Sequence, residues 1–247
     1  FNKSDIVPPE TTGGLDTVAV RMPVNPIARE FIEAAGGYIA APSANASGRP
    51  SCTSAAHVYE DLNGRIPLII DGGDVGIGLE STIVDMTEEI PVLLRPGYIS
   101  LAELEDSIGQ VRVDANIDGT GLKADERPKA PGMKYKHYAP RGELFIVRGE
   151  QGACIDRIKR ECDSHLQRDE SCAVLCMEHE LEKYSKYMVI SLGSTDRDAA
   201  HNLFKALREM DEKNIQFIYV RAFEEDGLGM ALMNRLVRAA GHKIIEV

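Results

Sequence analysis

Thr17-Val18-Ala19-Val20-Arg21 alternates in the period of a half-buried strand, and Pro23 stops it. Asn25 then offers a cap with Pro26 at the first helical position. Ile27, Ala28, Phe31, Ile32 and Ala35 repeat at helical spacing up to the stop Gly36-Gly37. A short apolar run, Tyr38-Ile39-Ala40, leads into a stretch of small and polar residues, Ala41 to Ser51. Thr53 to Leu62 reads as a helix ended by Asn63-Gly64. The branched residues of Pro67-Leu68-Ile69-Ile70-Asp71 predict a buried strand, followed by a Gly-rich connection, Gly72 to Gly78. Glu80 to Met86 and Val92 to Arg95 predict two more strands turned by Glu88-Glu89-Ile90-Pro91, and Ser100 to Ile108 a short helix.

The pattern lapses over Asn116 to Pro140, which is rich in Gly, Lys, Asp and Pro and reads as a linker. Its end, Ala130 to Pro140, carries rings and bases between two prolines, unusual for a passive spacer, and predicts a segment that docks on something. From Glu143 a second unit alternates. Strands are expected at Leu144–Val147, Ala173–Met177, Met188–Leu192, Ile215–Val220 and Ile244–Ile245. Helices are expected at Ala153–Leu166, from the capping-box pair Thr195/Asp198 through Met210, and at Met230–Ala240. Such alternation argues for a parallel sheet with helices on its faces. The fold class is thus α/β, with residues 1–115, a linker over 116–142, and a Rossmann-like unit over 143–247. No internal repeat is visible.

Composition narrows the function. The 247 residues carry a formal net charge of -11, so the chain as a whole is no nucleic-acid-binding surface, although a local basic groove stays open. No apolar run is long enough to span a bilayer, so no membrane partner is expected. Five cysteines without a CxxC pair fit a reducing cytoplasm. Cys172 and Cys176 read as buried small residues, and the scattered histidines predict no structural zinc. The chain starts at Phe1 rather than Met, as a processed or truncated chain would.

Candidate chemistry concentrates in Pro42-Ser43-Ala44-Asn45-Ala46-Ser47-Gly48-Arg49-Pro50-Ser51. Small residues let a backbone approach a ligand, and the N–H groups of the following helix start suit an anion. The same residues also suit an ordinary loop with a capping Ser or Thr. Arg21 and Arg95 each end an apolar run; a guanidinium there fits a carboxylate or phosphate, or an exposed salt bridge. Gly72 to Gly78 lacks the ending of a P-loop, and Gly227-Leu228-Gly229 reads as a tight turn. No catalytic triad or paired-carboxylate set can be assembled from spacing. On residue chemistry alone, the chain is a two-unit α/β protein with an anion-binding loop.

Four motifs in order add to this reading: Thr17 to Arg21; Pro-Ser-Ala-Asn-x-Ser-Gly with Arg49-Pro50-Ser51; Glu80-Ser81-Thr82 with Leu94-Arg95-Pro96-Gly97; and Pro131-Gly132-Met133 through Tyr138-Ala139-Pro140. Together they resemble the long, two-domain form of threonylcarbamoyl-AMP synthase, a YrdC-like domain, linker and C-terminal domain, across essentially the whole chain. The resemblance implies synthesis of L-threonylcarbamoyl-AMP from L-threonine, bicarbonate and ATP, with Mg²⁺, releasing pyrophosphate. The product goes to a tRNA-modifying transferase. Carried over by motif, Thr17, Asn45, Thr53, Arg95 and Tyr138 would contact ATP. Arg21, Ser43 and Ser81 would hold threonine, and the linker end would fold back over the nucleotide. Arg95 and Arg21 are the implied catalytic groups.

The family's catalytic domain begins roughly a hundred residues earlier, a span in line with ordinary domain sizes, and that part carries a Lys-x-Arg motif and a Trp-Pro-Gly-Pro-x-Thr segment. The chain is therefore expected to be truncated, to hold only part of the pocket, and to expose strands that would otherwise be central. Two other functions compete: an RNA-binding module, and a regulatory protein that binds nucleotide through residues 143–247.

Overall fold

The structure, a computed structural model, describes residues 1–117 and 138–247. The first stretch contains α1 (Pro26–Ala34), α2 (Ala55–Leu62), β1 (Ile83–Asp85), β2 (Val92–Arg95), α3 (Leu101–Ile108) and β3 (Arg112–Val113). The second contains β4 (Glu143–Arg148), α4 (Gln151–Gln167), β5 (Cys172–Cys176), a 3-10 helix (Glu178–Tyr184), β6 (Met188–Ser191), α5 (Asp196–Glu212), β7 (Phe217–Arg221), α6 (Gly227–Ala240) and β8 (Ile244–Glu246).

Residues 143–247 fold as the alternation predicts. Five parallel strands run in the order β6-β5-β7-β4-β8. Both faces are covered, so β5 is buried at every position. Cys172, Val174 and Cys176 share a core with Cys154, Ile158 and Cys162 of α4. Ala173 and Leu175 join Leu203, Phe204 and Leu207 of α5 and Leu232 and Leu236 of α6. Thr195 and Asp198 close a capping box at the start of α5.

The first half departs from its pattern. The hairpin of β1 and β2 forms as expected, although β1 begins only at Ile83, and β3 adds a parallel neighbour. Asn25 caps α1, Ser54 caps α2, which begins at Ala55 rather than at Thr53, and Ser100 with Glu103 boxes α3. The strands expected at Thr17–Arg21 and Pro67–Asp71 are absent, and Tyr38–Ala40 runs without a strand. An apolar alternation becomes a strand only where a neighbouring backbone takes its hydrogen bonds. Among the described residues such pairing is limited to one bridge, Thr17 opposite Asn2, beside which the Val18 N–H donates to the Phe1 carbonyl at 2.8 Å. Val20 and Leu68 stay 71% exposed. Arg21 therefore ends no strand, whereas Arg95 does end β2.

Gly227-Leu228-Gly229 is likewise not a tight turn but the first turn of α6. A Cβ at Gly229 would lie 1.9 Å from the Glu224 carbonyl, so the glycine lets the helix start against the preceding loop.

The two halves meet on α5 and α6. Leu79 and Tyr138 belong to the same core as the inner faces of these helices. A Cβ at Gly78 would lie 2.0 Å from the His201 carbonyl, which shows how closely the 76–82 segment lies on α5.

Candidate active site

β2 delivers Arg95 to a buried position beside the 80–82 segment. Its Nε and one terminal nitrogen donate to the Ser81 carbonyl at 3.1 and 2.9 Å. Burial pushes the Arg95 pKa down to about 10. The charges of Arg235 and Arg21 push the same way, and Glu80 and Tyr138 oppose them. Arg21, though exposed, is thus close enough to act on Arg95 electrostatically.

Tyr138 is buried in the left-handed region at φ 65 and stacks on Phe204, with ring centroids 5.1 Å apart. The Arg235 guanidinium sits 5.9 Å from the same ring. The next residue, Ala139, donates its N–H to the Gly48 carbonyl at 3.0 Å. The linker's end is thus fastened to the serine-and-asparagine loop. The rest of the expected docking motif, Pro131 to His137, lies outside the described residues. Burial raises the Tyr138 pKa, with Glu80 adding to the effect, so the phenol is neutral at physiological pH.

The loop itself is built by side chains. Asn45 donates to the Ala46 and Arg49 carbonyls at 3.0 and 3.1 Å. Its Oδ1 is buried with no donor among the described residues. Such an orphan acceptor suits a ligand hydroxyl or amine. Thr53 is buried at the foot of α2, its N–H on His57 Nδ1 at 3.2 Å. Ser51 donates its hydroxyl to Glu80, which ties the loop to the Arg95 segment.

Arg95, Ser81, Tyr138, Asn45 and Thr53 therefore belong to one connected region. Ser43 and Arg21 are exposed and Thr17 is half-buried. Among the described residues, neither Ser43 nor Thr17 makes a side-chain hydrogen bond to that region. Four residues that order the region were not singled out in the sequence, Asp61, Arg208, Arg235 and Asn234, and Glu80 was named there in a motif but given no role. The two arginines carry a signal in retrospect. Arg208 stands four residues after Phe204 and Arg235 four before Ala239, both on helix stripes that are otherwise apolar and buried. A charge in a core stripe needs a partner from another element.

A family model described as "Threonylcarbamoyl-AMP synthase, C-terminal domain" matches residues 99–241, and one described as "Telomere recombination" matches residues 1–97. The threonylcarbamoyl-AMP synthase of Pyrococcus abyssi is 47% identical over 245 residues, 99% of this chain and 70% of the relative. The chain belongs to the threonylcarbamoyl-AMP synthase family. The Bacillus subtilis synthase is 43% identical, again over 99% of this chain, and 69% of the relative is covered. The crystal structure of P. abyssi Sua5 complexed with L-threonine superposes with a TM-score of 0.91 at 47% identity, covering 100% of this chain and 70% of that one. A histidine-and-tyrosine double-alanine variant of the same protein superposes at 0.90. The mixed α/β architecture of the synthase family is thus shared along the whole chain, which spans about 70% of these relatives' length.

Proposed function

We propose that the reaction is synthesis of L-threonylcarbamoyl-AMP from L-threonine, bicarbonate and ATP, releasing pyrophosphate, for threonylcarbamoyladenosine in tRNA, and that this chain supplies part of the pocket. One observation carries the reading at residue level. Arg95, the Ser81 carbonyl and the buried ring of Tyr138 converge where the linker closes on the loop. The P. abyssi structure complexed with L-threonine supports a threonine site in the same fold.

In this reading Asn45, Thr53, Thr17, Arg95 and Tyr138 contact ATP, the orphan Asn45 Oδ1 accepting from the nucleotide. Arg21 clamps the threonine carboxylate, with Ser43 and Ser81 around the rest of the amino acid. Threonine carbamate is short-lived in water, so the reaction needs a closed chamber, beside which the linker end is held at Tyr138 and Ala139. A carbamate oxygen attacks the α-phosphorus in line, the bond to the β-phosphate oxygen breaks, and charge grows on departing pyrophosphate. Arg95, fixed on the Ser81 carbonyl and charged below about pH 10, stabilises that charge. Positioning and electrostatics supply the catalysis, and no covalent nucleophile is needed.

Magnesium belongs with the nucleotide. Among the described residues no group of three His, Cys, Asp or Glu could hold a metal, so such an ion would ride on phosphate oxygens. The reading also places the enzyme in the cytoplasm, in keeping with five free cysteines, and its product with a tRNA-modifying transferase. No helix among the described residues is long and apolar enough to cross a membrane. Acidic residues outnumber basic ones in residues 1–140, which disfavours RNA binding as the primary role.

Threonine-dependent pyrophosphate release, with bicarbonate and ATP present, tests the proposal. The expected result is turnover that needs all three substrates and is lost in Arg95→Met. Release that ignores threonine would refute it.

A further inference from the structure

We infer that Arg235, on α6 of the C-terminal half, is a positioning residue for the synthase site, and that it acts by keeping the Glu80 carboxylate away from Arg95. The inference rests on the site reading above and deepens it.

Arg235 is 0% exposed and each nitrogen of its guanidinium donates a hydrogen bond. Nε donates to Glu80 Oε2 at 2.7 Å, one terminal nitrogen donates to Asn234 Oδ1 at 2.7 Å, and the other reaches the Glu80 carbonyl at 3.4 Å. Asn234 is anchored in turn, donating to the Ile117 carbonyl at 2.6 Å. The second carboxylate oxygen of Glu80 accepts from Ser51. Glu80 therefore holds the loop on one side and the helix on the other. The next carbonyl along the chain, that of Ser81, is the one gripped by Arg95.

Two cations flank one half-buried anion. Among the described residues, the hydrogen bonds to the carboxylate come from Arg235 and Ser51, not from Arg95. A carboxylate largely withdrawn from water and deprived of its partner seeks the next cation. Without Arg235 that cation is Arg95, whose charge is already felt at Glu80. Arg95 would then neutralise Glu80 instead of a substrate phosphate. Arg235 also lies over the Tyr138 ring, so its loss loosens the linker end as well. The C-terminal half thereby contributes to catalysis without touching substrate.

The test compares Arg235→Met, the double variant Glu80→Gln/Arg235→Met, and Arg95→Met. Two readouts are used on the whole chain: KM and kcat for pyrophosphate release, and amide hydrogen exchange without substrates. Arg235→Met is expected to raise KM for ATP by about 10- to 100-fold, the scale of a misplaced binding group. Exchange should accelerate at 45–53 and 80–82 while the five-stranded sheet stays protected. The double variant, with the competing carboxylate gone, should recover KM to within about 3-fold of wild type even if it is no more stable, since a factor of 3 is under 1 kcal/mol. A purely structural arginine would instead speed exchange across α6 and leave the KM of the folded protein unmoved. Wild-type KM in Arg235→Met, or no recovery in the double variant, overturns the inference. If Arg235→Met does not fold, Arg235→Lys decides: it keeps the charge and should hold KM near wild type, and a KM raised 10-fold or more in that variant counts against the mechanism. Unchanged turnover in Arg95→Met would sink the site reading itself. Loss there beside wild-type kinetics in Arg235→Met would sink the positioning role alone.

Discussion

Arg208 of α5 grips Asp61 of α2 with both terminal nitrogens, at 3.2 Å to Oδ1 and 2.9 Å to Oδ2, across 147 residues of sequence. The side chains are 1% and 0% exposed. Asp61 also accepts from the Ala46 N–H at 2.9 Å and from Arg49, and Arg208 donates to the Pro50 carbonyl at 2.6 Å. The pair thus fixes the loop that holds Asn45 and Ser51. Breaking a buried pair from one side strands a charge and costs about 3–5 kcal/mol. Arg208→Met or Asp61→Asn should each lower stability by that order in urea unfolding, while the double variant should cost clearly less than their sum.

The same pair sets an acid limit. Burial pulls the Asp61 carboxyl up, but the Arg208 hydrogen bond, the Ala46 N–H and the nearby guanidinium charges outweigh it and hold its pKa below the ordinary range. A depressed folded-state pKa gives stability that is present above the unfolded value and lost as pH falls through the folded one. Unfolding free energy should therefore drop below the ordinary aspartate range. In Asp61→Asn/Arg208→Met that acid slope should flatten. A double variant with the wild-type slope would assign it to other carboxylates.

The C-terminal sheet was legible because each of its strands is an apolar run flanked by a helix of clear period, with neighbours to pair it within the same stretch. Thr17–Arg21 and Pro67–Asp71 show the opposite. The alternation of the first and the branched run of the second are equally good, but pattern says which residues an element would bury, not whether a partner is alongside. The site was half legible. Arg95 and Tyr138 were visible through motifs, and the structure buries both in one region. Glu80 stood in a motif without a role, and Arg208 and Arg235 were not visible at all, because each gains its meaning from a contact more than a hundred residues away in sequence. Charged residues in a helix look solvated until the opposing element is known.

Tyr138 is expected to hold the linker end by its ring. Its stack on Phe204 and the guanidinium beside it are worth about 1–2 kcal/mol beyond simple burial. Tyr138→Ala should therefore raise KM for ATP by about tenfold, and Tyr138→Phe, which keeps the ring, should change it by less than about threefold, steps of 1.4 and under 0.7 kcal/mol. Equal losses in both variants would shift the weight from the ring to the hydroxyl.

Close backbone approach predicts a sensitive glycine. The space at Gly78 is taken by the carbonyls of His201 and Ala200, 2.0 and 2.6 Å from where a Cβ would lie. Backbone cannot swing aside as a side-chain tip can, so Gly78→Ala must lift the 76–82 segment off α5. A loss of about 1–3 kcal/mol is expected, the usual cost of overpacking. Gly76→Ala, with open space around it, is the control and should cost under about 1 kcal/mol. Thermal unfolding of the two variants side by side checks the contrast.

Arg95 links stability to activity with opposite signs. Burial, then the charges of Arg235 and Arg21, lower its pKa to about 10, well under the ordinary guanidinium value. For a base, a lowered folded-state pKa means that the folded protein pays to keep the charge at neutral pH, and that this cost is relieved as pH rises through about 10. The two hydrogen bonds to the Ser81 carbonyl offset the cost in part, at about 1–3 kcal/mol for charged donors. Arg95→Met should consequently unfold at a temperature no lower than wild type by more than a few degrees, yet lose about 10²-fold or more in pyrophosphate release. Above pH 9 wild-type turnover should decline as Arg95 discharges. Tyr138→Phe should keep that decline in place, because the buried phenol titrates above its ordinary range and is not its source. If the decline disappears in Tyr138→Phe, the titrating group is the tyrosine, and Arg95 is not the charge that the leaving pyrophosphate meets.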